Sequence, residues 1–324
     1  MLRRVHYITV VLLLTSLISG CSAQVALENT NPTNNEPVEA QATVVIAQDF
    51  GKELILERKV NIGADNSAMA ALQMVADVET KYGGGFVSSI NGISSEYEGA
   101  NSNKKDWFFC INGIASNLGA RDYILQDGDV EHWDFRNWSY HQFIPAIIGD
   151  FPQPFRSGYQ DKLKPTSVVY EEAFSAEAEA LVGKMKGYGV IEVSAVCCDL
   201  LSDEAKGNSN LIIISLLDNT LISELNKAHK KLGFYVYIEQ DKLIVLDAEG
   251  NISVKYGEGC GLIQATQNPW NPKGIGSGEN VVWMVTGVDV NGVRSAVEVL
   301  TNNSDELRHA FSLVIKDNAV MKIP

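Results

Sequence analysis

An α+β fold in two parts is predicted for this chain: a β-grasp-like N-terminal domain, then an α/β domain with a helix-covered, mostly parallel or mixed sheet. Three observations carry that prediction. Residues 42–145 read as an alternating hairpin, one amphipathic stretch and a series of short strands set apart by Asn-Gly and Asp-Gly turns. A proline-bearing stretch, 146–166, contains Pro152, Pro154 and Pro165 and few periodic residues, and is expected to be a linker. Beyond it, 167–324 alternate helical periodicity with apolar runs such as "LIIISLL" and "VVWMV", which suit strands buried on both faces.

The chain's start sets an expected address. Arg3 and Arg4 precede the apolar run "ITVVLLLTSLISG", which is too short for a permanent span and ends in small residues before Cys21. Residues 1–20 therefore read as a signal peptide resembling those of bacterial lipoproteins, with Cys21 as the lipidated first residue of the mature protein, held at the extracellular face of the cell membrane. Residues 21–41 are rich in Asn, Thr, Pro, Glu and Ala and carry too little apolar surface to offset the entropy of ordering them. They read as a disordered tether of about twenty residues, reaching on the order of 65 Å when extended.

At 324 residues and 45% hydrophobic content, the chain can build two ordinary domains. Its formal charge is −14, and more negative once Arg3 and Arg4 are removed. That excludes nucleic acid and anionic lipid as electrostatic partners, since both require a basic face. Cys110, Cys197, Cys198 and Cys260 show no metal-ligand spacing and read as buried small hydrophobes. A disulfide from Cys260 to one of the adjacent pair stays open.

In the first domain, "ATVVIAQDFGKELILERKVNI" alternates on both sides of "DFGKE" as a hairpin with one buried face. "ADNSAMAALQMVADVETKYGGG" places Met69, Leu72, Val75, Ala76 and Val78 mostly at steps of three and four, with Asp65 or Ser67 as a cap, and predicts an amphipathic helix. "GFVSSINGIS", "DWFFCINGI", "DYILQDGD" and "VEHWDFRNW" follow as strands. In the last, alternation puts His132, Asp134 and Arg136 on one face and Trp133, Phe135 and Asn137 on the other.

Trp107, Asn112, Gly113, Gly119, Tyr123, Leu125, Asp127, Gly128, Asp129 and Trp133 form an ordered set: a Trp-initiated strand closing on Asn-Gly, a later Asp-Gly-Asp turn and an acidic-aromatic strand. This set resembles the transcobalamin C-terminal-like domain of bacterial lipoproteins. The resemblance covers about a hundred residues and implies a β-grasp fold of the soluble-ligand-binding type and, as ligand, a corrinoid. The helical partner domain of the vitamin carriers has no counterpart here.

Trp107, Phe109 and either Trp133 or Phe135 are needed for a core of this size. Trp138, Tyr140, His141 and Phe143 lie past the last strand and serve either a ligand platform or the seam with the second domain. His132 and His141 invite a cobalt-ligand role, against the commoner use of a lone histidine as a hydrogen-bonded residue. The candidate ligand-binding residues are Trp107, Asn112, Tyr123, Trp133, Trp138, Tyr140 and His141; no metal ligand, cofactor or catalytic residue is predicted.

In the second domain, helices are expected at "SAEAEALVGKMKGYG", "NTLISELNKAHKKLG" and "NGVRSAVEVLT", with strands "VIEVSAVCC", "NLIIISLLD", "GLIQATQ" and "NVVWMVTGVD" and the hairpin "FYVYIEQDKLIVLD" between them. The Asn268-Pro269-Trp270 turn and Thr286-Gly287-Val288-Asp289 resemble a module of surface-layer proteins and of a cellulose-synthase periplasmic subunit. Leu216-Leu217-Asp218 stands where such proteins carry a glycine-rich turn, which weighs against a phosphate site.

No nucleophile elbow, metalloprotease motif, phosphate loop or calcium loop occurs, so the chain is not expected to be an enzyme. Two functions remain in view. One is a lipid-anchored protein that captures a small ligand, a corrinoid by the resemblance, and delivers it to a membrane importer. The other is an envelope scaffold or surface-layer-type component that binds protein or glycan.

Overall fold

In the computed structural model, which describes residues 40–63, 65–97 and 103–324, the predicted hairpin forms from β1 (Gln41–Gln48) and β2 (Glu53–Asn61). Helix α1 (Ala68–Gln73) follows, with the Ser67 side chain accepting from the Ala70 amide as its N-cap. Next come β3 (Val78–Lys81), β4 (Phe86–Ile90), β5 (Ile93–Ser94), β6 (Lys105–Ile111), β7 (Ile114–Ala115) and β8 (Val130–Asn137). The main sheet has the order β2-β1-β8-β6-β7, with β1 and β8 parallel and the other pairs antiparallel. Strand β8 thus lies in the middle, as a β-grasp requires, and β3, β4 and β5 form a small separate sheet.

The helix is shorter than its periodicity predicts. Met69 and Leu72 are buried as expected, but Val78 opens β3. Asn91 is the local cause: its side chain accepts from the Asp77 amide at 2.9 Å, its amide donates to the Asp77 carbonyl at 2.8 Å, and the β-branched Val78 and Thr80 then pair with β4.

The second sheet is built from β9 (Thr166–Tyr170), β10 (Val193–Cys197), β11 (Asn210–Leu216), then β15 (Gly261–Gln267), β16 (Val281–Gly287), β17 (Ser312–Lys316) and β18 (Ala319–Ile323). A three-stranded meander, β12 (Val236–Glu239), β13 (Lys242–Leu246) and β14 (Ile252–Tyr256), precedes β15. The order β10-β9-β11-β16-β15-β17-β18 is parallel across the first four and antiparallel beyond, a mixed sheet. The helices are α2 (Ser175–Gly187), α3 (Asp203–Asn208), α4 (Thr220–Lys227) and α5 (Val290–Asn302). Helices α2 and α5 put Leu181, Met185, Ala296 and Leu300 into the core shared with Trp283 and Val285, while Ile222 and Leu225 of α4 join the opposite core with Leu211, Ile213 and Met284. Both faces are covered, which is why these strands read as unbroken apolar runs.

The stretch 146–166, expected as a linker, is packed. Ile147, Ile148, Phe155 and Tyr159 are buried, and Phe155 and Phe151 set their rings 5.1 and 5.8 Å from Trp283. Contacts run on across both sheets, so residues 39–324 form one unit. The four described cysteines are free thiols, and the Cys260 disulfide left open by the sequence is not formed. Among the described residues no helix is long and apolar enough to cross a membrane. The signal segment, Cys21 and the tether up to residue 39 lie outside the described residues.

Candidate functional site

Register across the central strands decides what faces the second sheet. Phe108 pairs with Asp134 and Cys110 with His132, so these four share one face of the first sheet with Arg136. Trp107, Phe109, Trp133 and Phe135 share the other, where Phe109 stacks on Trp133 at 4.7 Å and Trp107 meets Phe135 at 5.2 Å. The polar face is not solvated: His132, Asp134 and Arg136 are all buried against the C-terminal half.

Each of the three is fastened to a different loop. Asp134 accepts from the amides of Phe50 at 3.1 Å and Gly51 at 2.8 Å, holding the β1–β2 tip in the left-handed region (Asp49 φ 52°, Phe50 φ 60°, Gly51 φ 71°). Held there, the Phe50 ring plugs the second half, 5.3 Å from Tyr235 and 5.5 Å from Phe311. A Cβ on Gly51 would collide with the His309 carbonyl, so glycine is required. His132 Nδ1 lies 2.8 Å from Asp150 Oδ1, and Asp150 Oδ2 accepts from the Gly113 amide. Arg136 donates through Nη1 to the His141 carbonyl at 3.1 Å and through Nη2 to the Gln142 carbonyl at 3.2 Å, with its guanidinium 3.9 Å over the Phe108 ring.

Between this face and the loop 142–147 lies a cavity of about 220 Å³. Phe108, Phe143, Ile144, Ile147 and Phe311 supply apolar wall; Cys110, His132, Asp134 and Arg136 supply the polar part. Phe143, 44% exposed, and the exposed Gln142 mark its mouth. His132 Nε2 and Arg136 Nε are buried with no hydrogen-bond partner. Buried polar atoms are paired in the great majority of cases, so two unspent nitrogens on residues lining one cavity are unusual. Burial disfavours the charged form of His132, but the Asp150 carboxylate reverses this and leaves its pKa raised. Burial first, then the Asp150 and Asp134 carboxylates, push the Cys110 thiol up against the opposing Arg136 charge, so it remains protonated.

The sequence-selected residues divide. Trp107 is core, its ring turned to the opposite face against Phe135 and its Nε1 donating to the Ile93 carbonyl at 2.8 Å. Trp133 is core, its Nε1 donating to buried Glu131 at 2.6 Å. Asn112 is a turn clamp, donating to Asp129 and the Gly158 carbonyl and accepting from the Val130 amide. Tyr123 is core, 5.2 Å from Tyr159, its hydroxyl accepting from the Gln160 amide. Tyr140 and His141 belong to the seam: Tyr140 sits 5.5 Å from Tyr235, and His141 Nε2 lies 3.2 Å from the Phe234 carbonyl. Trp138 is half-buried beneath Lys104 and Tyr97, away from the cavity. Sequence reading missed Phe108, Arg136 and Phe311; the His-Asp-Arg alternation of β8 was the available signal for Arg136.

The anion-site candidates around the second sheet are filled from within. The carboxyl ends of β9 and β11, where chain connections diverge and open α/β sheets usually bind ligands, are bridged by Glu171, which accepts from the Leu216 amide and from Asn219 Nδ2. Asp289 caps α5, accepting from the Gly292 and Gly259 amides. Cys197, Cys198 and Asp199 bring three metal-ligating atoms within 4.8 Å of one another at the end of β10. Burial, then Asp199, pushes the Cys198 thiol up to about 11, which disfavours the thiolate a metal would need.

Comparison with known proteins covers the first sheet in part. No curated protein matches the chain significantly. Among solved structures that match is a candidate metal binding protein from Ruminococcus gnavus, 19% identical, covering 31% of this chain and 98% of its own, with a TM-score of 0.24. Residues 65–137, from the cap of α1 to the end of β8, match the family model of a domain of unknown function, DUF4430.

Proposed function

We propose that this chain is a lipid-anchored protein of the extracellular membrane face that captures a small ligand in the cavity between its two sheets, for delivery to an importer, and that it binds without catalysing. The cavity carries the reading: an apolar chamber with an exposed aromatic mouth and two unspent buried nitrogens has the makeup of a small-molecule site. The lipobox-like run before Cys21 and the polar tether supply the address.

The corrinoid implied by the transcobalamin-like motif set is not what this chamber suits. Its volume of about 220 Å³ is below the roughly 300–1,000 Å³ of pockets that enclose drug-sized ligands, and a corrin macrocycle is larger than those. The proposed ligand is accordingly a smaller molecule, of the bulk of one aromatic ring or a short branched chain. A scaffold function takes its support from Tyr140 and His141, whose rings serve the seam.

Titration separates these readings. The full chain, with benzyl alcohol, indole, cobinamide and cobalamin added in turn, is expected to show saturable binding and a raised Tm with a small aromatic probe, and no change in the corrinoid visible spectrum. Ala115→Phe, which fills the cavity from β7, should remove the binding without unfolding the protein. A corrinoid spectral shift would restore the larger ligand, and no response to any small molecule, charged or neutral, would favour the scaffold.

A further inference from the structure

We propose that the cavity selects a small carboxylate, with Arg136 as the residue that recognises it; this rests on the small-ligand reading above. A guanidinium offers five N–H donors and accepts none. Arg136 spends Nη1 and Nη2 on one carbonyl each, and its Nε is buried without a partner. Among the described residues no carboxylate forms an ion pair with it. Asp134, two positions along the same face, turns both oxygens to the Phe50 and Gly51 amides of the hairpin tip.

With the neighbouring Asp134 carboxylate spending its hydrogen bonds on the hairpin amides, the buried Arg136 cation is only partly compensated, and an incoming anion completes that compensation. The Phe108 ring, 3.9 Å beneath the guanidinium, fixes its plane, so that it offers a pre-set edge of parallel donors, the match for a carboxylate rather than for a single carbonyl. His132 stands on the same face with Nδ1 taken by Asp150 and Nε2 unspent. Phe143 and Phe311 then enclose an apolar body. Asp134 also lines the chamber, which places the bound anion on the Arg136 side. The chain's net charge of −14 opposes anions at long range, but that field is screened beyond roughly 8–10 Å at physiological salt, so selection acts on affinity at the site rather than on steering.

The test compares acids with their neutral near-isosteres on the full wild-type chain: benzoate against benzamide, and phenylacetate against phenylacetamide, by calorimetry and thermal shift. Each acid is expected to bind at least tenfold more tightly than its amide, and Arg136→Gln should bring the two within about twofold. Equal binding of acid and amide to the wild type overturns the carboxylate inference and leaves the small-ligand reading standing. No binding by any of the four overturns both. An acid preference that survives in folded Arg136→Gln overturns the assignment to Arg136. The wild-type ratio decides the question of charge even if the variant does not fold.

Discussion

The two faces of β8 are equally buried and differently used. On one, Trp133 and Phe135 join the core with Glu131 buried beside them, Trp133 stacked on Phe109 and Phe135 tilted against Trp107. On the other, His132, Asp134 and Arg136 fasten Asp150, the β1–β2 tip and the 141–142 loop to the sheet. Apolar contact is non-directional and gives the strand its place in a layer. Charged hydrogen bonds are directional and give three loops their positions, with a chamber left between them. The contrast lies in what fails when a residue is removed.

The largest loss is expected on the polar face. Asp134→Ala strands the Phe50 and Gly51 amides and deprives Arg136 of the nearby negative charge, and breaking such a buried network costs about 3–5 kcal/mol. Urea denaturation measures it. A loss near that of a surface substitution would mean that the Phe50 plug holds the tip unaided and that the polar face is not the fastener.

Glu131 brings a charge problem to the apolar face. Burial pushes its pKa up to about 8 against an ordinary 4.5, with the Trp133 hydrogen bond opposing. Below pH 4.5 the group is neutral folded or unfolded, and the stability tied to it is fully present. From there to about pH 8 only the unfolded chain ionises, and stability falls by about 1.4 kcal/mol per pH unit. Glu131→Gln keeps an acceptor for Trp133 and removes that slope. The variant should match the wild type at pH 4.5 and exceed it by on the order of 3 kcal/mol at pH 7, with Tm against pH as the measurement. Parallel pH profiles would mean that Glu131 ionises in the folded protein and that the two faces are electrostatically alike.

Alternation in "VEHWDFRNW" was enough to sort these two faces from sequence, because a strand's side chains must point to opposite sides. The same period logic found the hairpin, the runs that became β11 and β16, and the helices α2, α4 and α5. It could not say that both faces of β8 are buried, since that depends on the second sheet docking through contacts distant in sequence, such as Phe50 with Tyr235 and Phe311. Periodicity alone carries the helix on to Val78, since Val75, Ala76 and Val78 fit a helical stripe, and the Asn91 side chain that ends it is supplied from across a turn. The ring surplus past β8 was legible, but its division was not. Tyr140 and His141 went to the seam, Phe143 to the mouth, and the walls came partly from Phe108 and Phe311, which no local pattern marks.

That division orders two smaller effects. The Tyr140 ring fills the space over Gly250 and packs against Tyr235 and His141, so Tyr140→Ala should cost roughly 1–3 kcal/mol of stability. Trp138 meets exposed Tyr97 and Lys104 at the periphery, and Trp138→Ala should cost less, about 1 kcal/mol. Thermal melts rank the pair. The reverse order would place the seam's anchor on the outer rim.

Phe143 separates binding from folding most sharply. Its ring is 44% exposed at the chamber mouth, whereas its neighbour Ile144 is buried in the C-terminal core. Truncating an exposed ring away from the packed core changes stability by no more than about 0.5 kcal/mol. The same ring, once a ligand shields it from water, would contribute on the order of 1–2 kcal/mol of apolar burial. Phe143→Ala should therefore melt with the wild type and bind the small aromatic probe roughly tenfold more weakly. An unchanged affinity would move the ligand away from this mouth, and a lowered Tm would make Phe143 another seam residue like Tyr140.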